Sequence, residues 1–121
     1  MSKIKNDKVY LEHILRCIDN ILSYTLDLDE DDFLSSQLQK DAVVRNFEII
    51  GEATKRITEQ LKSQSKNIEW KKMSGLRDKL IHDYIEIDYQ IIWYTITDLL
   101  PQLKIDIESI INNQELNDDI S

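Results

Sequence analysis

Leu11-Glu12-His13-Ile14-Leu15-Arg16-Cys17-Ile18-Asp19-Asn20-Ile21-Leu22 is the stretch that decides the fold. Its apolar residues Leu11, Ile14, Leu15, Ile18, Ile21 and Leu22 recur at intervals of three and four, which on a helix is one buried stripe. The pattern predicts a helix from about Asp7 to Tyr24, capped by Asn6 or Asp7. His13 points away from the stripe and reads as an ordinary surface histidine. Cys17 shares the periodic helix and reads as a packed, inert thiol.

Working outward, the acidic run Asp27-Leu28-Asp29-Glu30-Asp31-Asp32 reads as a solvated connection whose carboxylates favour a following helix N-terminus. It lacks the ligand spacing and central glycine of a calcium loop. A long helix is expected from Ser35 or Ser36 to Leu61, with Ala42, Ile49, Ala53, Ile57 and Leu61 as its core line. Gly51 inside it costs about 1 kcal/mol relative to alanine, which a close helix crossing would explain. Ser63-Gln64-Ser65-Lys66-Asn67 breaks the pattern, and Asn67 is placed to cap a third helix over Ile68 to Tyr84. Met73, Leu76, Leu80 and Tyr84 make its stripe. Asp88 can cap a last helix from Tyr89 to Asn112, with Ile92, Ile96, Leu99, Leu103 and Ile110 inward and a kink at Pro101.

The sum is all-α: an antiparallel bundle of four main helices with room for a short fifth piece near Asp32-Phe33. It spans residues 1–112, and residues 113–121 read as an acidic, disordered tail. A chain of 121 residues suits one domain, and two glycines and one proline are too few for a turn-rich sandwich or barrel.

The net charge of −8 argues against a general binder of long nucleic acids, which needs cations to displace counterions. That charge is uneven. From Lys55 to His82, eight basic residues stand against three acidic ones, so this stretch is +5 and the remainder −13. A local basic patch on an acidic molecule suits a small or transient phosphate-bearing ligand. The single cysteine excludes an intrachain disulfide, no apolar run reaches the ~20 residues that cross a bilayer, and Met1 to Asp7 carries no signal-peptide core. A cytoplasmic location is expected.

The chemistry concentrates in Arg77-Asp78-Lys79-Leu80-Ile81-His82-Asp83-Tyr84. Asp78 and His82 are four apart and adjacent on a helix surface, and a carboxylate beside an imidazole favours its protonated form. His82 is also expected in the last turn, where the helix dipole acts in the same direction. Arg77 lies on the flank of the apolar stripe, either snorkelling or held for a purpose. Arg77 and His82 diverge on one straight helix. They converge if the helix ends at His82 or if a two-fold axis brings a second copy alongside, which also supplies both an acid and a base. The plain alternative is that the two residues merely cap and pair within the bundle.

Elsewhere, Arg45, Asn46, Glu48 and Glu52 read as a buried hydrogen-bond network or a cleft wall. The Glu48–Glu52 pair lacks the Glu-x-x-His partners of di-iron bundles, so no metal site is assigned. Trp70 and Trp93 read as core or interface anchors.

The spacing Arg77-x4-His82-x-Tyr84 resembles the R-x4-H-x-Y motif of the HepT-like toxins within the HEPN superfamily. The segments Asp41 to Ala53, Trp70 to Tyr84, Ile87-Asp88 and Leu100-Pro101-x-Leu103 are similar too, so that the likeness covers about Val9 to Ile111. The resemblance implies a homodimeric helical bundle with the motifs of both subunits lining an interface cleft. It implies a metal-independent endoribonuclease without a cofactor, acting on RNA as the toxin of a type II toxin–antitoxin pair. Arg77 and His82 would be catalytic, with Asp78 and Tyr84 supporting. The partner implied is a nucleotidyltransferase antitoxin of the MNT type, which transfers AMP to Tyr84. The residue after the motif arginine is often asparagine in that family; here Asp78 puts a negative charge where phosphate approaches. The competing reading is a non-catalytic HEPN module serving as partner and AMP acceptor of such an enzyme.

Overall fold

The periodic segment around Ile14 forms helix α1, Lys3–Thr25, and buries Leu11, Ile14, Ile18 and Ile21 completely. The computed structural model describes residues 3–82 and 86–120, with side chains described over 6–76, 78–79 and 86–113. Cys17 is a buried free thiol, and burial pushes its pKa up, so it packs as a small apolar group. His13 is exposed, edge-on to the Tyr10 ring.

The helix begins upstream of the expected caps, so neither Asn6 nor Asp7 caps it. Asp7 is instead fully buried, and its carboxylate crosses to another helix. It accepts hydrogen bonds from Thr58 N at 2.9 Å and from Thr58 Oγ1 at 2.6 Å. This contact divides the long second helix that periodicity alone predicts. Helix α3 covers Gln37–Lys55, and a separate helix α4 covers Glu59–Gln64, with Thr58 as its N-cap accepting from Leu61 N. A cap at Thr58 and a carboxylate holding its N–H outcompete continuation of the helix.

Between α1 and α3 the acidic run ends in a short helix α2, Glu30–Ser35, where the fifth piece was expected. Asp29 and Asp32 form a reciprocal capping box. Phe33 of α2 is buried, stacked on Trp93 at 5.3 Å between centroids and edge-on to Tyr89.

The buried line of α3 is Val43, Phe47, Ile50 and Thr54, with Asn46, Gly51 and Ala53 beside it; Ala42 and Ile49 are only half-buried. Of the expected core line Ala53, Ile57 and Leu61 are buried, and the buried arc widens to Val43, Phe47, Ile50 and Thr54 because α3 packs between α1 on one side and the next long helix, α5, on the other. Helix α5 runs Trp70–His82. Its first helical bond, Met73 N to the Glu69 carbonyl, leaves Asn67 in the preceding turn rather than at the cap. Trp70 is buried, and its indole N–H donates to the Ser65 carbonyl at 3.0 Å, which makes it a core anchor.

Asp88 caps helix α6, Tyr89–Tyr94, accepting from Gln90 N and Ile91 N, as expected. The chain then widens into a π-helical turn, Thr95–Leu99, before helix α7, Leu100–Ile120. Pro101 explains the widening. It has no N–H for the Thr97 carbonyl and its ring would crowd that group, and a π turn relieves both. Leu100 N bonds Thr95 O across the wider turn. The turn also shifts the register, so Leu99 is half-exposed while Leu100 and Ile107 take the inward places beside Ile92, Ile96 and Ile110. Helix α7 lies on α1, tied by Lys104 Nζ to Asp19 Oδ1 at 2.9 Å, and its backbone stays helical to Ile120, past the expected end at Asn112. The described residues are all-α with no strand, and none of their helices is long and apolar enough to cross a membrane.

Candidate active site on helix α5

Helix α5 carries Arg77, Asp78 and His82 in its C-terminal half, and His82 is its last residue. The side chains of Arg77 and His82, the stripe residue Leu80 and all of Tyr84 lie outside the described residues. Asp78 is described. Its carboxylate, half-exposed, accepts from Lys55 Nζ at 2.7 Å, the ammonium reaching across from the end of α3. The sequence paired Asp78 with its helical neighbour His82; the structure adds a cation from another helix. An ammonium at this distance offsets the negative charge that Asp78 would otherwise present to a phosphate. As a surface pair it contributes about 0–1 kcal/mol to stability. Its consequence is for the local field.

The level of this contact also orients the helices. Lys55 meets Asp78, while Phe47, eight residues earlier on α3, shares a cleft with Leu76, Lys79, Glu86 and Ile87. Helix α5 therefore runs antiparallel to α3, and its C-terminal end lies toward the middle of that helix. The cleft continues to Ile91 and Thr95 of α6 and the π turn, with the exposed Lys79 at its rim. Its lining is mostly apolar, and its charged members are Lys79 and the carboxylates of Glu86 and Asp88.

The basic stretch of the sequence is tempered by local pairs. Lys62 lies 3.7 Å from Glu59, Lys72 3.1 Å from Glu69, and Arg56 3.7 Å from Glu52. Lys66, Lys71 and Lys79 are exposed, two of them on the motif helix.

A second cleft lies between α1 and α3, lined by Tyr10, His13, Arg45, Glu48, Glu52 and Arg56. Arg45 pairs with Glu48 at 3.5 Å. Asn46 belongs to a structural network instead: it donates to the Ala42 carbonyl at 2.8 Å and accepts from Asn20 Nδ2 at 3.1 Å. The buried-network reading holds for Asn46, while Arg45, Glu48 and Glu52 line this second cleft, which contains no described motif residue. Among the described residues no group of three or more histidine, cysteine and acidic side chains is arranged to hold a metal ion.

Sequence reasoning missed Lys55 as a neighbour of the motif, because a contact between residues 23 apart on different helices leaves no periodic signal.

A family model described as "Ribonuclease HepT-like" matches residues 14–110. A relative from Methanocaldococcus jannaschii, "Putative RNase MJ0125", is 38% identical over 108 residues, covering 89% of this chain and 93% of the relative. "Putative RNase TTE0752" of Caldanaerobacter subterraneus is 34% identical over 112 residues, covering 93% of this chain and all of the relative. "Probable ribonuclease HepT" of Thermococcus cleftensis is 39% identical over 100 residues, covering 83% and 91%. No solved structure matches.

Proposed function

Because the chain belongs to the HepT-like ribonuclease family, we propose that it is a metal-independent endoribonuclease whose chemistry is carried by Arg77 and His82. The reading rests on one observation: an arginine and a histidine five residues apart in the C-terminal half of α5, beside a mostly apolar cleft that Lys79 helps line, in a chain of a ribonuclease family. RNA carries its own nucleophile. A neutral His82 takes the proton of the 2′-hydroxyl, the freed oxygen attacks the adjacent phosphorus, and the bond to the 5′-oxygen breaks. The departing oxygen takes a proton from a second acid, leaving a 2′,3′-cyclic phosphate and a 5′-hydroxyl. Such proton transfers are worth about 10²–10⁴-fold in rate. Arg77 stabilises the charge that builds on the non-bridging oxygens.

One histidine cannot be base and acid in the same step, so the reaction calls for a homodimer that brings two copies of His82 to one phosphate. In the cell the protein acts as the toxin of a toxin–antitoxin pair. Its partner is a nucleotidyltransferase that silences it by moving AMP from ATP onto the Tyr84 hydroxyl, with pyrophosphate leaving. The deciding experiment is cleavage of a defined RNA by purified wild type, Arg77→Ala and His82→Ala. Both variants are expected to lose at least 100-fold in kcat/KM with unchanged helical circular dichroism. Cleavage persisting in His82→Ala would remove the mechanism.

A further inference from the structure

The cleft between α3, α5 and α6 has a volume of about 350 Å³, at the small end of the range for ligand sites and ample for one flat ring system. Phe47 and Ile92 of its lining are buried, whereas Ile91 lines it and remains 54% exposed. Its charged members decide what such a ring must carry.

Lys79 and Glu86 have opposite charge and line the same cleft, yet neither pairs with the other or with any other described residue. Exposed lysines and glutamates nearby do close such pairs, Lys62 with Glu59 at 3.7 Å and Lys72 with Glu69 at 3.1 Å. Lys79 and Glu86 therefore keep their hydrogen-bonding capacity for what enters the cleft. Asp88 is committed elsewhere: its Oδ1 accepts from Gln90 N and Ile91 N and caps α6, so it adds negative charge from a fixed position. Two carboxylates against one ammonium repel a phosphate. They suit a neutral group whose edge has more donors than acceptors.

Among the bases of RNA that group is guanine. Its pairing edge carries two adjacent donors, N1–H and the 2-amino group, beside one acceptor, O6. A carboxylate accepts two adjacent N–H groups side by side, and an ammonium donates to O6. Adenine and cytosine offer one amino group next to a ring-nitrogen lone pair, and uracil offers one N–H between two carbonyls. Each of these sets an acceptor against a carboxylate oxygen, which leaves buried polar atoms unmatched. The location fits a substrate subsite. Lys79 precedes the His82 backbone on α5 by three residues, about 4.5 Å along the axis, and Glu86 follows His82 by four residues in the chain. A base held there belongs to a nucleotide flanking the phosphate on which Arg77 and His82 act.

We propose that this cleft is a guanine subsite. Glu86 accepts from N1–H and the 2-amino group, Lys79 donates to O6, and Leu76, Ile87 and Ile91 cover the ring, so that the enzyme cuts RNA beside guanine. The inference rests on the ribonuclease reading above and adds the base that is recognised. A free guanine nucleoside carries the same edge, and the test separates the two sources.

The first measurement is independent of catalysis. A 2′-O-methylated hexanucleotide has no nucleophile and cannot be cut, and its binding is read by fluorescence anisotropy with guanine, hypoxanthine or adenine at one position of an otherwise all-uracil strand. The guanine strand is expected to bind roughly tenfold or more tightly than the adenine and all-uracil strands, the discrimination of one bidentate pair. Hypoxanthine, which lacks the 2-amino group, is expected to fall between. In Glu86→Gln, whose amide turns an N–H toward the guanine donors, the preference is expected to shrink to within about threefold. Glu86 is exposed, and circular dichroism confirms that the variant folds. The second measurement maps cleavage of a mixed-sequence RNA, expected beside guanines in the wild type and spread over other bases in Glu86→Gln. Equal affinity for all strands overturns the subsite and leaves the ribonuclease to its own test. A guanine preference untouched by Glu86→Gln overturns it as well, because the base is then read elsewhere. Free guanosine binding more tightly than the guanine strand overturns the RNA source and assigns the cleft to a soluble nucleoside. Guanine-selective binding without cleavage of any RNA supports the site and removes the catalytic reading alone.

Discussion

Removing the Lys55 ammonium isolates what it does for the motif helix. Lys55→Gln keeps the length of the side chain and discards its charge, leaving Asp78 without the cation now 2.7 Å from its carboxylate. With a scissile phosphate about 8 Å from Asp78, the exposed repulsion is ~0.5 kcal/mol at the dielectric of water and ~2 kcal/mol at an effective value of 20. The expected loss is therefore about 2- to 30-fold in kcat/KM, and the half-exposed setting of the pair with ordinary salt screening favours the lower part of that range. The sign is what matters in Asp78→Asn, where the carboxylate charge is gone. If Lys55 acts by neutralising Asp78, Lys55→Gln in that background costs much less than in the wild type, and the two substitutions are strongly non-additive. The assay is initial-rate cleavage of a short RNA at two ionic strengths. Equal losses in both backgrounds would show that Lys55 contacts the RNA itself, and no loss in either would refute the electrostatic account of the pair.

Two further outcomes follow from the geometry. Asp7→Ala leaves the Thr58 N–H and hydroxyl without their buried acceptor and costs about 2–3 kcal/mol, roughly an 8–15 °C drop in Tm for a domain of this size; a melt within 2 °C of wild type would remove Asp7 as the clamp between α1 and α4. Incubation with the nucleotidyltransferase partner and ATP is expected to add one adenylyl mass to the wild type and none to Tyr84→Phe, read by intact-mass analysis, while undiminished mass on the variant would place the acceptor elsewhere.

The elements were legible where one continuous stripe met the core. Helix α1 follows its sequence closely because its apolar residues all point to the same core, and Asp88 caps α6 because an aspartate at that position has only the next turn to serve. The break at Thr58 was not legible. Its cause is a carboxylate 51 residues away, and the periodicity of residues 36–61 carries no trace of it. The core line of this segment was legible in part: Ala53, Ile57 and Leu61 are buried as expected, but with α1 and α5 on two sides the buried arc of α3 is wider than one stripe, and Ala42 and Ile49 fall at its edge. At Pro101 the local cause was in plain view and its consequence was not. A missing N–H predicts a disturbed helix, but a kink keeps the register and a π turn moves it by a residue, which is why Leu100 rather than Leu99 is buried.

The site divides along the same line. Arg77, Asp78 and His82 were legible as a motif because their spacing is a property of one helix. Their electrostatic setting was not, because Lys55 arrives from another helix, and a charge's meaning depends on what stands opposite it.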